Sequence, residues 1–251
     1  MGRRGAFFAA MLAFYLVTMF TSTAGAQSAL QQGPIAISRC QTIDQPGSYR
    51  LVDNLKAAGD CFVVTAEGVT IDLGGFGMTG NGTGTAIISR EAKTSSIPQA
   101  RTEVRNGDIS HFALATKLSG TVEGLRVTSN TGGIFVGVGI VRNNIVEFNS
   151  SIGIRLADGI VTGNLLVANG TGLFVEEAGV VTGNQAAGNK IGIDVKGTGS
   201  TLIGNIADGN SQIGMRVGCP SNLTDNTAIG NTRNVVLVGK RCHNDGNVFG
   251  L

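Results

Sequence analysis

The chain has 251 residues, a formal net charge of +2 and only 14% charged side chains. So weak a charge provides no field for nucleic acid or an anionic membrane. Its 42% hydrophobic content can bury a core, which excludes a disordered polymer, and 39 glycines suit a chain that turns often.

Residues 1–26 read as a cleaved secretory signal. Arg3 and Arg4 give a positive start, Ala6–Phe20 an apolar stretch, and Ala24-Gly25-Ala26 a small-residue cleavage site. The apolar run is shorter than the ~20 residues that span a bilayer. The mature chain is expected to be secreted or periplasmic, with no membrane insertion after cleavage.

One domain is expected over 27–251, beginning with an N-terminal cap region at 27–60. Cys40 and Cys61 lie one repeat apart, and Cys219 and Cys242 nearly so. Residues one repeat apart stack about 5 Å from each other in a solenoid, within disulfide reach. The pairs Cys40–Cys61 and Cys219–Cys242 follow. With no CxxC spacing there is no zinc signature, and no metal or cofactor is expected.

Val69–Leu73 alternates like a strand, with Asp72 as a bend or cap residue. Gly74-Gly75-Phe76-Gly77 resembles a calcium-binding nonapeptide once and does not recur. The polar stretch 89–103 reads as a loop interrupting one coil. Beside it, Arg101, Glu103, Arg105, Asp108 and His111 place a histidine near carboxylates, the residue types of acid/base work. A lone surface histidine is the commoner meaning, and His243 beside Cys242 reads as structural.

The second half is periodic. Asn144, Asn164, Asn184, Asn205, Asn226 and Asn247 recur in steps of 20, 20, 21, 21 and 21, and Asn149, Asn169, Asn189, Asn210 and Asn231 keep the same beat. A period near 20 marks a solenoid with one repeat per coil. Three residues before the first asparagine stand Val141, Val161, Val181, Leu202 and Leu223. Two after it stand Val146, Leu166, Ala186, Ala207 and Ala228. Both columns should point inward, and the column between (Ile145, Leu165, Gln185, Ile206, Thr227) outward.

A second strand follows as Ile154-Arg155-Leu156, Leu173-Phe174-Val175, Ile193-Asp194-Val195, Met215-Arg216-Val217 and Val236-Leu237-Val238. Gly133, Gly153, Gly172, Gly192 and Gly214 precede these triplets and should allow the corner between strands. A third strand lies near Ile140, Ile160 and Val180. Three short strands per coil make an all-β, single-domain parallel β-helix of 20–21 residues per coil. It is expected to be right-handed, since the strict hexad of left-handed helices is absent. The asparagines should form ladders at the bends, where the residue type also tolerates left-handed backbone. Burial in a ladder makes the sequons at Asn149 and Asn169 poor glycosylation acceptors.

The repeats, together with Cys40-Gln41-Thr42-Ile43, Pro46-Gly47-Ser48-Tyr49-Arg50-Leu51 and Val69-Thr70-Ile71-Asp72-Leu73-Gly74-Gly75-Phe76, make the chain resemble bacterial right-handed parallel β-helix repeat proteins. These belong to the pectin-lyase-like superfamily that includes NosD-type periplasmic proteins. The resemblance implies the fold and, for the superfamily's enzymes, cleavage or epimerisation of acidic polysaccharides. No Asp-Pro-His-Asp, paired aspartates or Gly-His-Gly occurs here, so no catalytic residue carries over.

The outward column of the second strand, Phe135, Arg155, Phe174, Asp194, Arg216 and Leu237, is the candidate ligand face, with rings to stack on sugars and arginines to pair with carboxylates. An ordinary solvated face is the competing reading. The expectation is a non-catalytic binding or scaffold module, with an anionic polysaccharide as partner. The alternative is a polysaccharide lyase, epimerase or hydrolase of the same superfamily. The last residues, Phe249-Gly250-Leu251, bring no polar capping helix, so end-to-end self-association is also expected.

Overall fold

The structure, a computed structural model, describes residues 33–89 and 101–250. The expected signal segment and residues 90–100 of the expected loop lie outside the described residues. Among the described residues every regular element is a β-strand, every pairing is parallel, and the chain winds about 10 turns into one continuous sheet. A parallel partner one coil away satisfies each backbone edge, so short strands suffice.

The strands fall into three columns. The first runs from Ile35–Ile37 through Gly47–Leu51 and Val69–Asp72 to His243–Asp245. The second runs from Leu55–Lys56 through Gly77–Thr79 to Val248–Phe249. The third runs from Gln41–Ile43 through Phe62–Val64 to Arg233–Val238. The part of 27–60 that is described is built of these stacked strands, and the Cys40–Cys61 disulfide joins its first coils. Cys219–Cys242 does the same near the other end.

The core is a single apolar stack, mostly aliphatic, with Phe62 and Phe112 its largest fully buried side chains. Val141, Val161, Val181, Leu202 and Leu223 are fully buried, as are Val146, Leu166, Ala186, Ala207 and Ala228. The asparagine series bracket the second column. Each side chain accepts from the coil before it and donates in two directions. Asn164 Nδ2 donates to the Val141 carbonyl at 3.0 Å and to Asn184 Oδ1 at 2.9 Å, while the Asn164 backbone N–H donates to the same Oδ1 at 3.1 Å. The pattern repeats at Asn184 and Asn205. The other ladder begins one coil earlier than the periodicity indicated, at Asn130, whose Oδ1 accepts from the Phe112 N–H.

Four local expectations are corrected. The left-handed residue at each bend is not the ladder asparagine but the one before it: Asn143, Gly163, Gly183, Gly204 and Asp225 in one ladder, Phe148, Ala168, Gly188 and Gly209 in the other. The glycines before the third-column triplets do not turn the chain. They admit the ladder, since a Cβ on Gly172 would sit 2.7 Å from the Gly192 carbonyl oxygen and 3.1 Å from Asn189 Nδ2. The final triplet is slipped by one residue: Met215 pairs with Val235, Arg216 with Val236 and Val217 with Leu237. The unbroken run Val235–Val238 carries no alternation to fix which residues face inward, and a slip of one exchanges the faces. Finally, Arg101, Thr102 and Glu103 are not loop, for they open the strand Arg101–Ser110, and Thr102 is buried against Val69.

Candidate functional site

Phe135, Arg155, Phe174, Asp194 and Arg216 lie in register across successive coils of the third column, and Val236, not Leu237, continues the row. Their charges are satisfied within the protein. Arg155 Nε donates to Glu176 Oε1 at 2.6 Å, and its guanidinium lies 5.5 Å from the Phe135 ring centroid. Lys196 Nζ stands 4.9 Å from the Phe174 ring centroid. Arg216 Nε donates to Asp194 Oδ1 at 2.8 Å, and a second guanidinium nitrogen binds the other carboxylate oxygen. Asp194 is only 3% exposed. Its hydrogen bonds raise the Arg216 pKa further than partial burial lowers it. Rings and guanidiniums here pair first with each other and with acidic neighbours.

The residues expected around the interrupting loop separate. Arg101 and Glu103 point out of the first column, Asp108 belongs to the second, and His111 occupies the bend after it with φ of 60°. Arg105 Nη1 meets Glu103 at 3.0 Å, and its Nε meets Asp72 at 3.4 Å. Burial raises the Asp72 pKa, but the Gly74 N–H at 2.8 Å, the Asn106 amide and the charges of Arg105 and Arg50 outweigh it and hold the carboxyl below its usual range. Asp72 is therefore a bound anion, unsuited to give up a proton as a general acid.

These contacts belong to a larger feature. Arg50, Asp72, Arg105, Glu123 and Arg142 are aligned one above another on the first column, alternating in sign. Arg142 pairs with Glu123. Opposite charges on adjacent strands stabilise one face. The sequence hides this column because the irregular coils before Asn144 place its members at uneven intervals.

Beside it lies a concavity of about 750 Å³. Its floor is the third-to-first corner at Gly120, Gly139 and Gly159, and its walls carry Thr70, Thr121, Ile140 and Ile160, with Arg101 and Glu103 on the coil between Thr70 and Thr121. The strands Gly132–Arg142 and Ile152–Thr162 pass through this corner without interruption. The turn is tight enough that a Cβ on Gly139 would fall 1.8 Å from the Gly120 carbonyl oxygen. The groove crosses five coils, about 20 Å. Arg101 and Glu103 are the only ionisable side chains among its described lining residues, and no carboxylate pair faces across it. Among the described residues no group of three His, Cys, Asp or Glu side chains is placed to hold a metal ion.

A solved structure supports the fold. The enzymatically active domain of bacteriophage CBA120 tailspike protein 2 superposes with a TM-score of 0.55 at 15% identity, covering 80% of this chain and 39% of that one. The likeness is one of fold. The chain spans about two fifths of that tailspike domain. No family model and no curated protein matches the sequence. Two disulfides fit an oxidising compartment. Among the described residues no helix is long and apolar enough to cross a membrane.

Proposed function

We propose that this chain is an exported, non-catalytic β-helix module of the pectin-lyase-like kind that binds an extended acidic polysaccharide in the glycine-floored groove. The observation that carries the reading is the groove's combination of length, apolar walls and, among the described residues, one lining cation, Arg101, with no ion-pair partner. Ile140 and Ile160 offer surface to the C–H faces of sugar rings, Thr70 and Thr121 offer hydroxyls, and Arg101 offers a guanidinium to a carboxylate. The candidate face on the third column serves this less well, because Arg155 and Arg216 already hold carboxylates.

Absence of hydrolysis is supported by the carboxylates among the described lining residues. Glycoside hydrolysis uses two carboxyl groups roughly 5–9.5 Å apart across the scissile bond. Glu103 is the groove's one described carboxylate, and it is tied to Arg105.

Calorimetry of the mature protein with polygalacturonate and alginate, at low and high salt, tests this. Salt-sensitive binding that Arg101→Ala weakens is expected, with no new reducing or unsaturated ends after long incubation. Appearance of such ends would install the lyase or hydrolase reading. Absence of binding to either polymer would leave the solenoid as a structural spacer.

A further inference from the structure

The bend between the second and third columns carries a second concavity, about 590 Å³, on a different corner from the groove. We infer that it is a binding site for a neutral sugar segment, built on His111, Ser129 and Phe148. These three occupy the same bend position on successive coils, for Ser110 pairs with Thr128 and Thr128 with Glu147 immediately before them. All three are left-handed, with φ of 60°, 58° and 55°. Side chains other than glycine adopt this conformation at a cost. Three of the later coils fill the position with Gly188, Gly209 and Gly230, at φ of 63°, 58° and 65°. The bend therefore requires only glycine, and here it holds a histidine, a serine and a phenylalanine instead.

What those side chains present is the chemistry of sugar recognition. Phe148 is 59% exposed, so its ring is open to solvent. Around it stand Ser129, Thr131 and Ser150, with His111 and Asn81 further along the axis. The Asn81 Oδ1 accepts from the Thr83 N–H and hydroxyl, which leaves the amide nitrogen as the donor that Asn81 can offer a ligand. An apolar ring face beside hydroxyl, amide and imidazole groups matches the C–H face and rim hydroxyls of a pyranose. No Lys, Arg, Asp or Glu is among the described lining residues, which selects a neutral ligand over a uronate. Coils rise about 4.8 Å each, so the row from Asn81 to Phe148 extends roughly 14 Å, room for a short oligosaccharide. The inference does not depend on the groove, since neither Arg101 nor any other groove residue takes part.

Saturation-transfer NMR on the mature protein tests it, with neutral gluco-, galacto-, manno- and xylotrioses at millimolar concentration as probes. Phe148→Gly is the decisive variant, because glycine is what later coils carry there and the fold is retained. Transfer from at least one trisaccharide is expected, weakened about tenfold or more by Phe148→Gly and by His111→Gly, and unchanged by Arg101→Ala. Binding that survives both bend variants, or no transfer from any of the four probes, overturns the inference. Loss of acidic-polymer binding in Arg101→Ala with retained trisaccharide binding would separate the two sites.

Discussion

Asn231 and Asn234 complete a ladder rung within a single coil. Asn234 Oδ1 accepts the Asn231 N–H at 3.1 Å and the Asn231 Nδ2 at 3.0 Å, the two donors that meet the next coil's asparagine everywhere else in that ladder. The Asn234 amide then turns to the Gly250 carbonyl. A growing ladder of this kind would otherwise present two unmatched donors at its end, and the chain supplies the missing acceptor from three residues away. Closing the last rung in this way leaves neither donor of Asn231 unmatched.

Asn234→Ala should therefore destabilise modestly, about 1 kcal/mol, since its partners are only partly buried. Asn184→Ala should cost more, about 2–3 kcal/mol, because it strands the buried Asn164 backbone N–H and removes the side-chain donor to the Val161 carbonyl, while Asn205 Oδ1 keeps only the backbone N–H of residue 184. Urea melts that ranked the two variants the other way would contradict the cap.

Thr116→Val should stabilise by about 1 kcal/mol. Its hydroxyl is buried without a hydrogen-bond partner, and the residue stacks between Ile87 and Ile134 in the core. A lowered melting midpoint in this nearly isosteric variant would show that the hydroxyl has a partner.

Two glycines give opposite diagnoses of the same substitution. Gly188→Ala should cost only the left-handed conformation, about 1–2 kcal/mol, since nothing lies within 4 Å of the added Cβ. Gly172→Ala has no such conformational demand, yet its Cβ would strike the neighbouring coil's backbone 2.7 Å away. It should be the more damaging of the pair, comparable to overpacking a core at about 1–3 kcal/mol or more. Equal midpoints would mean that the coils separate more easily than their packing implies.

The distribution of what the sequence disclosed has a physical basis. A ladder side chain must recur in every coil because each rung needs the next, so Asn164 through Asn226 are visible as a period. Inward Val141 and Leu166 are visible because their neighbours must be polar-tolerant. Asn234 is invisible because a terminator falls off the beat by definition. The Arg50 to Arg142 charge column is invisible because pairing depends on register, which the irregular coils before Asn144 conceal. At Gly172 the spacing points to a corner where the structure shows a close neighbour: a recurring glycine reveals that a side chain is excluded, not whether a bend or a neighbouring coil excludes it. Phe148 and His111 escaped notice as a pair because only three-dimensional stacking brings residues 37 apart to one bend.

Acid stability should depend on Asp72. Its folded pKa is depressed, so its contribution is fully present above the unfolded carboxylate value of about 3.9 and is lost as pH falls through the folded value. Asp72→Asn should lower stability at neutral pH and flatten the stability profile below about pH 4. A profile parallel to that of the parent protein over that range would assign the acid limb to other carboxylates.

The charge pair on the third column allows a sharper experiment than glycan binding alone. An outward arginine is ordinarily dispensable, and the sequence alone indicates that Arg155 and Arg216 could both be removed without thermal cost. The geometry separates them. Arg155 faces Glu176, whose side chain is 32% exposed, so water can replace the guanidinium and Arg155→Ala should cost no more than about 1 kcal/mol. Arg216 faces Asp194, whose side chain is 4% exposed, so its loss would leave a buried carboxylate without a counter-ion. Arg216→Ala should cost about 3 kcal/mol, and adding Asp194→Ala should recover part of that loss by removing the stranded charge. Thermal melts of the two single variants and the Arg216/Asp194 double variant decide it. A double variant less stable than Arg216→Ala would show that Asp194 is held by partners other than Arg216.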